Sequence, residues 1–215
     1  MTPAHLIFDL DNTLYPPTLG VVERVDALIN GFMIDRLGMT PEAANATRAR
    51  YREEHGTTLS GLMLHHHVVA DEYLAHVHAI EIEDLVQPDA ALLAMLDGLP
   101  QRKVVFTNGS ACHAERVLGR LGVRHCFAEV FSLERVDYVP KPLRAAFESV
   151  LGALGAPAAH CLVIDDRLDN LRSARALGMR TVLVDPGPAA PDEETDFTIV
   201  SVLDLPRVLE EAADR

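Results

Sequence analysis

The sequence predicts an α/β protein built on a doubly wound parallel sheet and interrupted near its start by an all-helical insertion. Three observations predict it. After residue 100, short apolar runs alternate with stretches of helical period, as strands joined by crossover helices do. One isolated apolar run, residues 5–9, lies far upstream of them. Between the two, residues 15–95 read as helical. The expected division is a core of residues 1–14 and 96–215 around a helical domain of residues 15–95.

The first strand is expected to end at Asp9. In GVVERVDALINGFMIDRLG (20–38), Val21, Val25, Leu28, Phe32 and Leu37 fall near helical spacing, and Gly38 can end the helix. Thr40–Pro41 reads as an N-cap followed by proline at the first helical position, and Gly56 closes that helix. A third helical region covers residues 59–79 with a break near Asp71, and a short helix covers 89–97. Beyond Leu99–Pro100 come strands in KVVFTNG (103–109), AEVFS (128–132), HCLVIDD (160–166) and RTVLVD (180–185). Helices over 111–121, 143–154 and 168–177 separate them, each followed by a glycine. DPGPAAPDEETD (185–196) reads as a surface loop.

A chain of 215 residues with 48% hydrophobic residues can bury one full core, or a core with a small second domain. Its formal net charge of −13 argues against a broad nucleic-acid-binding face, so any phosphate site must be local. Cys112, Cys126 and Cys161 form no CxxC pair and are expected to be reduced and mostly buried. There is neither a basic leader nor an apolar run of about 18 residues. The expectation is a cytoplasmic protein that engages no membrane and works as a monomer or homodimer.

Chemistry concentrates at the strand ends. LIFDLDNTLYPP (6–17) carries Asp9 and Asp11, which a strand would place on one face. Two such charges repel and resist burial, and a divalent cation would offset them. Thr107–Asn108 and Asp165–Asp166 follow two other strands, and ligands of open α/β sheets bind beyond such ends. Any one of these acids is as readily a cap or turn residue; together they read as one site. The chain has two lysines, Lys103 and Lys141, against 17 arginines, and Lys141 stands between two prolines. His65, His66, His67, His76 and His78 lack ligand spacing and are expected to be ordinary helix residues, one of them facing the substrate.

FDLDNTLY (8–15), FTNGS (106–110), PKP (140–142) and VIDDRLDN (163–170) resemble, in order, the four motifs of the haloacid dehalogenase superfamily. The helical insertion after the first motif is similar to that superfamily's C1 cap. DLDNTLYPP, YREEHGTTLSGLM (51–63) and FTNGSACHAERVLGRLGV (106–123) resemble pyrimidine 5′-nucleotidases, with departures at His55 and at the KPL that follows Pro140. The resemblance implies a phosphomonoesterase working on a small phosphorylated metabolite through a phosphoaspartate. Asp9 would be the nucleophile and Asp11 the general acid/base. Mg²⁺ would be held by the Asp9 carboxylate, the Asp11 carbonyl and Asp166, with Asp165 and Asn170 behind, though Asp165 and Asp166 could exchange roles. Thr107, Asn108 and Lys141 would receive the phosphoryl oxygens, and Thr13 would brace the first loop. Tyr51, His55, Thr57 and Thr58 would read the leaving group. The alternatives are another phosphate ester (sugar phosphate, phosphoglycolate, nicotinamide mononucleotide, pyridoxal phosphate), a 2-haloacid dehalogenase, and a phosphate-responsive binding module akin to a receiver.

Overall fold

The computed structural model describes residues 3–187 and 194–213. Strands β1 (His5–Phe8), β2 (Arg102–Phe106), β3 (Glu129–Phe131), β4 (Cys161–Asp165), β5 (Arg180–Val184) and β6 (Phe197–Ile199) form one sheet in the order 3-2-1-4-5-6. Every pairing is parallel. Parallel strands are buried on both faces, and the side chains of β1 divide accordingly. Leu6 and Phe8 join a cluster on one face with Val105, Leu162, Ile164 and Val182. Ile7 joins a cluster on the other with Val104, Phe106, Val163 and Leu183.

Helices α7 (Ala111–Leu121) and α10 (Leu205–Ala213) cover the first face; α8 (Arg144–Leu154) and α9 (Leu168–Ala176) cover the second. Between β1 and β2 the chain forms α1 (Val21–Leu37), α2 (Pro41–His55), α3 (Thr58–His66), α4 (Ala70–Val77), α5 (Ile82–Leu85) and α6 (Ala90–Gly98). The first four share a cluster of their own, with Met33, Tyr51, Leu62 and Tyr73 at its centre. Ile82, Val86, Leu92 and Leu96, from α5 and α6, instead belong to the cluster on the sheet.

Local chemistry accounts for the boundaries. Thr40 accepts a hydrogen bond from the Ala43 N–H, and Pro41 sits where a missing donor costs nothing, so α2 begins there. Gly38 ends α1 at φ +66, a conformation glycine adopts without strain. The expected third helix divides earlier than Asp71: His67 is left-handed at φ +54 and caps α3, and α4 starts at Ala70. β6, α10 and the one-turn α5 are additions to the expected elements. β6 is three residues long and pairs on one side only, too short for its period to show against the polar stretch before it. The expected loop of residues 185–196 lies partly outside the described residues. Of the cysteines only Cys161 is buried; Cys126 is half-buried and Cys112, on the outer side of α7, is exposed. Among the described residues no helix is long and apolar enough to cross a membrane.

Candidate active site

The strand order reverses between β1 and β4, so the crevice beyond their carboxyl ends is the natural site. Asp9 directly follows β1, its N–H bonded to the Ile164 carbonyl at 2.8 Å, and Asp165 is the last residue of β4. Lys141, in the loop after β3, bridges them: Nζ lies 2.7 Å from Asp9 Oδ1 and 2.8 Å from Asp165 Oδ2. The side chain is 2% exposed. Asn108 holds this lysine from behind. Its Nδ2 donates to the Lys141 carbonyl at 2.9 Å and its Oδ1 accepts from the Lys141 N–H at 2.8 Å. The Asn108 side chain is thereby committed to the lysine backbone, so any phosphate contact from this residue falls to its own N–H.

Asp165 is saturated. Oδ1 accepts from the Arg167 N–H and from Asn170 Nδ2, both at 2.9 Å, and Oδ2 accepts from Lys141 and from Asn170 at 3.0 Å. Asp166 is half-buried beside it, its carboxylate hydrogen-bonded by the backbone N–H of its own residue. Carboxylate oxygens of Asp9, Asp165 and Asp166 lie within 4.8 Å of one another. Three carboxylates and one ammonium leave an excess of two negative charges, which a divalent cation would cancel. The titration preferences carry the same sign. Burial, then the charges of Asp165 and Asp166, raise the Asp9 carboxyl against the pull of Lys141. Asp166 is pushed up to about 6 by burial and by Asp165. Lys141 is depressed by burial but raised more by its two carboxylates, so it stays charged.

Asp11 does not share this cluster. The strand stops at Phe8, and the chain turns through Asn12 at φ +63, so Asp9 and Asp11 are not strand neighbours on one face. Asp11 finds a partner of its own in His113 on α7, whose Nε2 lies 2.8 Å from Asp11 Oδ1. The Tyr15 hydroxyl donates to the same oxygen. Burial would raise the Asp11 carboxyl, but His113 and Tyr15 outweigh it and hold it down at about 2. In the unliganded site Asp11 is an anion. Thr13 braces the turn, its hydroxyl donating to Asp9 Oδ2 at 3.3 Å. Thr107 is 1% exposed and its Oγ1 accepts from the Gly109 N–H at 2.9 Å, which leaves the hydroxyl proton free.

The residues brought together by the fold thus include Asp9, Asp11, Thr107, Asn108, Lys141, Asp165, Asp166 and Asn170. Sequence reasoning did not single out His113 or Tyr15. The available signal was position: His113 stands three residues past Ser110, the N-cap that follows FTNG, at the end of α7 nearest the strand ends.

Asp9, Asp11, Thr107 and Lys141 open into a cavity of about 300 Å³ beneath α1, α2 and α4. Its upper wall is apolar, with Val22, Val25, Ile29, Leu59 and Leu74, and it carries Arg48 and Arg52. Arg48 is buried and tied to α1 through the Asp26 carbonyl and Asn30, each at 3.0 Å. Arg52, one turn on, has no ion-pair partner among the described residues. Of the polar groups expected to read the leaving group, Thr57 and Thr58 line the cavity. Tyr51 is buried in the helical cluster, packed on Gly61, and His55 turns away to meet His65 Nε2 at 3.2 Å. Of the five histidines of residues 65–78, it is His78 that lines the cavity.

Over residues 3–178 the chain matches the haloacid dehalogenase-like hydrolase family. It belongs to that family. In sequence it is similar to Phosphate metabolism protein 8 of Saccharomyces cerevisiae, 27% identical over 200 residues, which are 84% of this chain and 62% of the yeast protein. The chain therefore spans about three fifths of that relative's length. In structure it is similar to a HAD phosphatase from Thermococcus onnurineus, with a TM-score of 0.65 and 17% identity over 97% of this chain and 98% of the other. It is also similar to a 2-haloacid dehalogenase from Pseudomonas syringae pv. Tomato DC3000, with a TM-score of 0.62 and 22% identity over 99% and 100%. Both likenesses speak to the fold.

Proposed function

We propose that this hydrolase is a Mg²⁺-dependent phosphomonoesterase that works through a phosphoaspartate on Asp9, with a pyrimidine nucleoside 5′-monophosphate as substrate. The observation that carries the reading is Asp11: a second carboxylate held beside the nucleophile but outside its ion cluster. Dehalogenation by an aspartate nucleophile needs neither that second acid nor a cation. In the forward step an Asp9 oxygen attacks phosphorus, the bond to the leaving oxygen breaks, and Asp11 delivers a proton to that oxygen. Water then attacks the phosphoryl group, Asp11 takes its proton, and the Asp9–phosphorus bond breaks to release inorganic phosphate. Asp11 must acquire its proton as substrate enters, since the empty site keeps it ionised. Lys141 and the Thr107 hydroxyl receive charge on the phosphoryl oxygens.

The donor set fits the cation. Asp9 and Asp166 offer hard oxygens, and the saturated Asp165 is assigned to holding Lys141 and Asn170 in place. A bound Mg²⁺ would supply counter-charge that lets a phosphate dianion approach the acidic cluster.

Helices α1–α4 act as the cap. The cavity they roof is at the small end of the roughly 300–1,000 Å³ range of small-molecule sites. Its apolar wall would cover a flat ring while Arg52 and Thr57 meet carbonyl acceptors on the ring edge. The yeast relative's name, which speaks of phosphate metabolism, agrees with a phosphate ester as substrate.

The test is phosphate release from UMP, CMP, AMP, nicotinamide mononucleotide, pyridoxal phosphate and phosphoglycolate, with Mg²⁺ and with EDTA, beside halide release from a 2-chloroacid. UMP and CMP should turn over fastest, only with the cation, and not at all in Asp9→Asn. Halide release, or equal rates in EDTA, would overturn the reading.

A further inference from the structure

His113 is a buried polar residue on the inner side of α7, 1% exposed. The ordinary explanation for such a histidine is a satisfied core residue bonded to nearby backbone. Its partner is instead a functional carboxylate 102 residues away in sequence. Both polar contacts to the Asp11 side chain, from His113 Nε2 and from the Tyr15 hydroxyl, fall on Oδ1. Oδ2 is left free on the side of Gly109, where an added Cβ would stand 3.7 Å from it and 3.2 Å from both His113 Cδ2 and Thr107 Oγ1. Glycine at 109 therefore keeps open the space that Oδ2 faces.

His113 is itself held by the cap. The ring of His78, which caps α4, stacks on the His113 ring with centroids 4.5 Å apart and planes 19° apart. His78 Nδ1 lies 3.0 Å from the Leu74 carbonyl and 3.0 Å from Ser110 Oγ, and that same oxygen accepts the His113 N–H at 3.2 Å. Arg116, one turn beyond His113, donates to the carbonyls of Ile80 and His78 at 2.8 and 3.3 Å, pinning the segment that carries His78 to α7. A continuous train of contacts runs from the cap end of α4 through His78 and His113 to Asp11.

We propose that His113 is a positioning residue for the acid/base, fixing Asp11 Oδ1 so that Oδ2 meets the leaving oxygen, and that His78 couples this orientation to the seating of the cap. The inference rests on the acid/base role assigned to Asp11 above. A carboxylate free to rotate would present Oδ2 correctly for part of the time only. Small misplacements of a reacting group cost on the order of 10²-fold in rate.

The experiment measures the rate of phosphoenzyme formation by rapid quench, together with KM, on a dinitrophenyl phosphate, which leaves without protonation, and on an alkyl phosphate monoester, which does not. For His113→Ala, phosphorylation by the alkyl ester should slow about 10²-fold and by the activated ester less than about fivefold, with KM within about threefold on both. His113→Gln, whose amide N–H reaches the place of Nε2, should recover at least about tenfold of the alkyl-ester loss. His78→Ala should show the same split at about tenfold. Equal losses on the two esters, a change confined to KM, or no recovery in the glutamine variant would overturn the proposal. Asp11→Asn run in parallel separates the two levels. If that variant shows the leaving-group split and His113→Ala does not, the positioning role fails alone; if neither shows it, the acid/base reading has failed first.

Discussion

Replacing Lys141 by methionine tests whether the ammonium is what makes the acidic site stable. Methionine keeps the length of the stem and its packing near Phe106, over whose ring Nζ lies at 5.1 Å, so the change is largely one of charge. Two hydrogen-bonded ion pairs are lost, at 2.7 and 2.8 Å, to partners whose side chains are 10% and 0% exposed. The lesion is unequal. Asp165 keeps three contacts from Asn170 and Arg167, whereas among the described residues Asp9 keeps the Thr13 hydroxyl alone, at 3.3 Å. Breaking a buried pair by removing one partner costs about 3–5 kcal/mol, and most of that should fall on Asp9. The assay is urea unfolding followed by far-UV circular dichroism, since the chain has no tryptophan. It is run in EDTA so that no adventitious cation substitutes for the lysine. Lys141→Met should lose about 3–5 kcal/mol. Adding Asp9→Asn to it should restore about 1–3 kcal/mol, a coupling of the size expected for groups in contact. A loss below about 1 kcal/mol, or additivity of the two changes within about 0.5 kcal/mol, would refute the argument that the lysine compensates these carboxylates.

Asp11→Asn should fold, still bind the cation and lose about 10²–10⁴-fold in kcat on natural esters, with a smaller loss for phosphorylation by an activated aryl ester; rapid-quench measurement of the first step checks it. Arg52→Ala and Thr57→Ala should raise KM for UMP several-fold and leave a small aryl phosphate nearly unchanged, because the lost contacts are to the ring edge. His55→Ala should be neutral on both substrates, since that side chain lies outside the cavity. Gly61→Ala should destabilise the helical cluster by about 1–3 kcal/mol in a urea titration, because the new Cβ would fall 2.2 Å from Tyr51 Cγ.

The core was legible in the sequence because its signals are local. Buried parallel strands such as Val104–Phe106 and Leu162–Ile164 are unbroken apolar runs, and Gly122, Gly155 and Gly178 mark where helices give way to the next segment. The acids at strand ends were legible for the same reason. What could not be read is where a side chain goes once the chain has turned. Asp9 and Asp11 look equivalent in FDLDN, yet a left-handed Asn12 sends one to Lys141 and the other to His113. His113 itself is hidden because it occupies an inner position of an amphipathic helix, where an apolar residue would satisfy the pattern equally well. Tyr51 and His55 were adjacent to the pocket residues in sequence, but helical rotation turns them to the cluster and to the outside. The proposed specificity segment thus contracts to Arg52, Thr57 and Thr58, which line the cavity.

The distribution of lysine has a practical consequence. Lys103 is buried with its ammonium on the Leu99 and Gln101 carbonyls, and Lys141 is buried between two aspartates, so neither of the chain's side-chain amines is displayed on the surface. The positive charge that faces water is carried by arginine, which acylating reagents do not modify. An amine-directed label should therefore mark Lys141 only when the crevice opens, and the pace of that labelling becomes a clock for the opening of the crevice. A ligand that fills the cavity would slow it, giving a readout of occupancy that needs no turnover and no knowledge of the substrate.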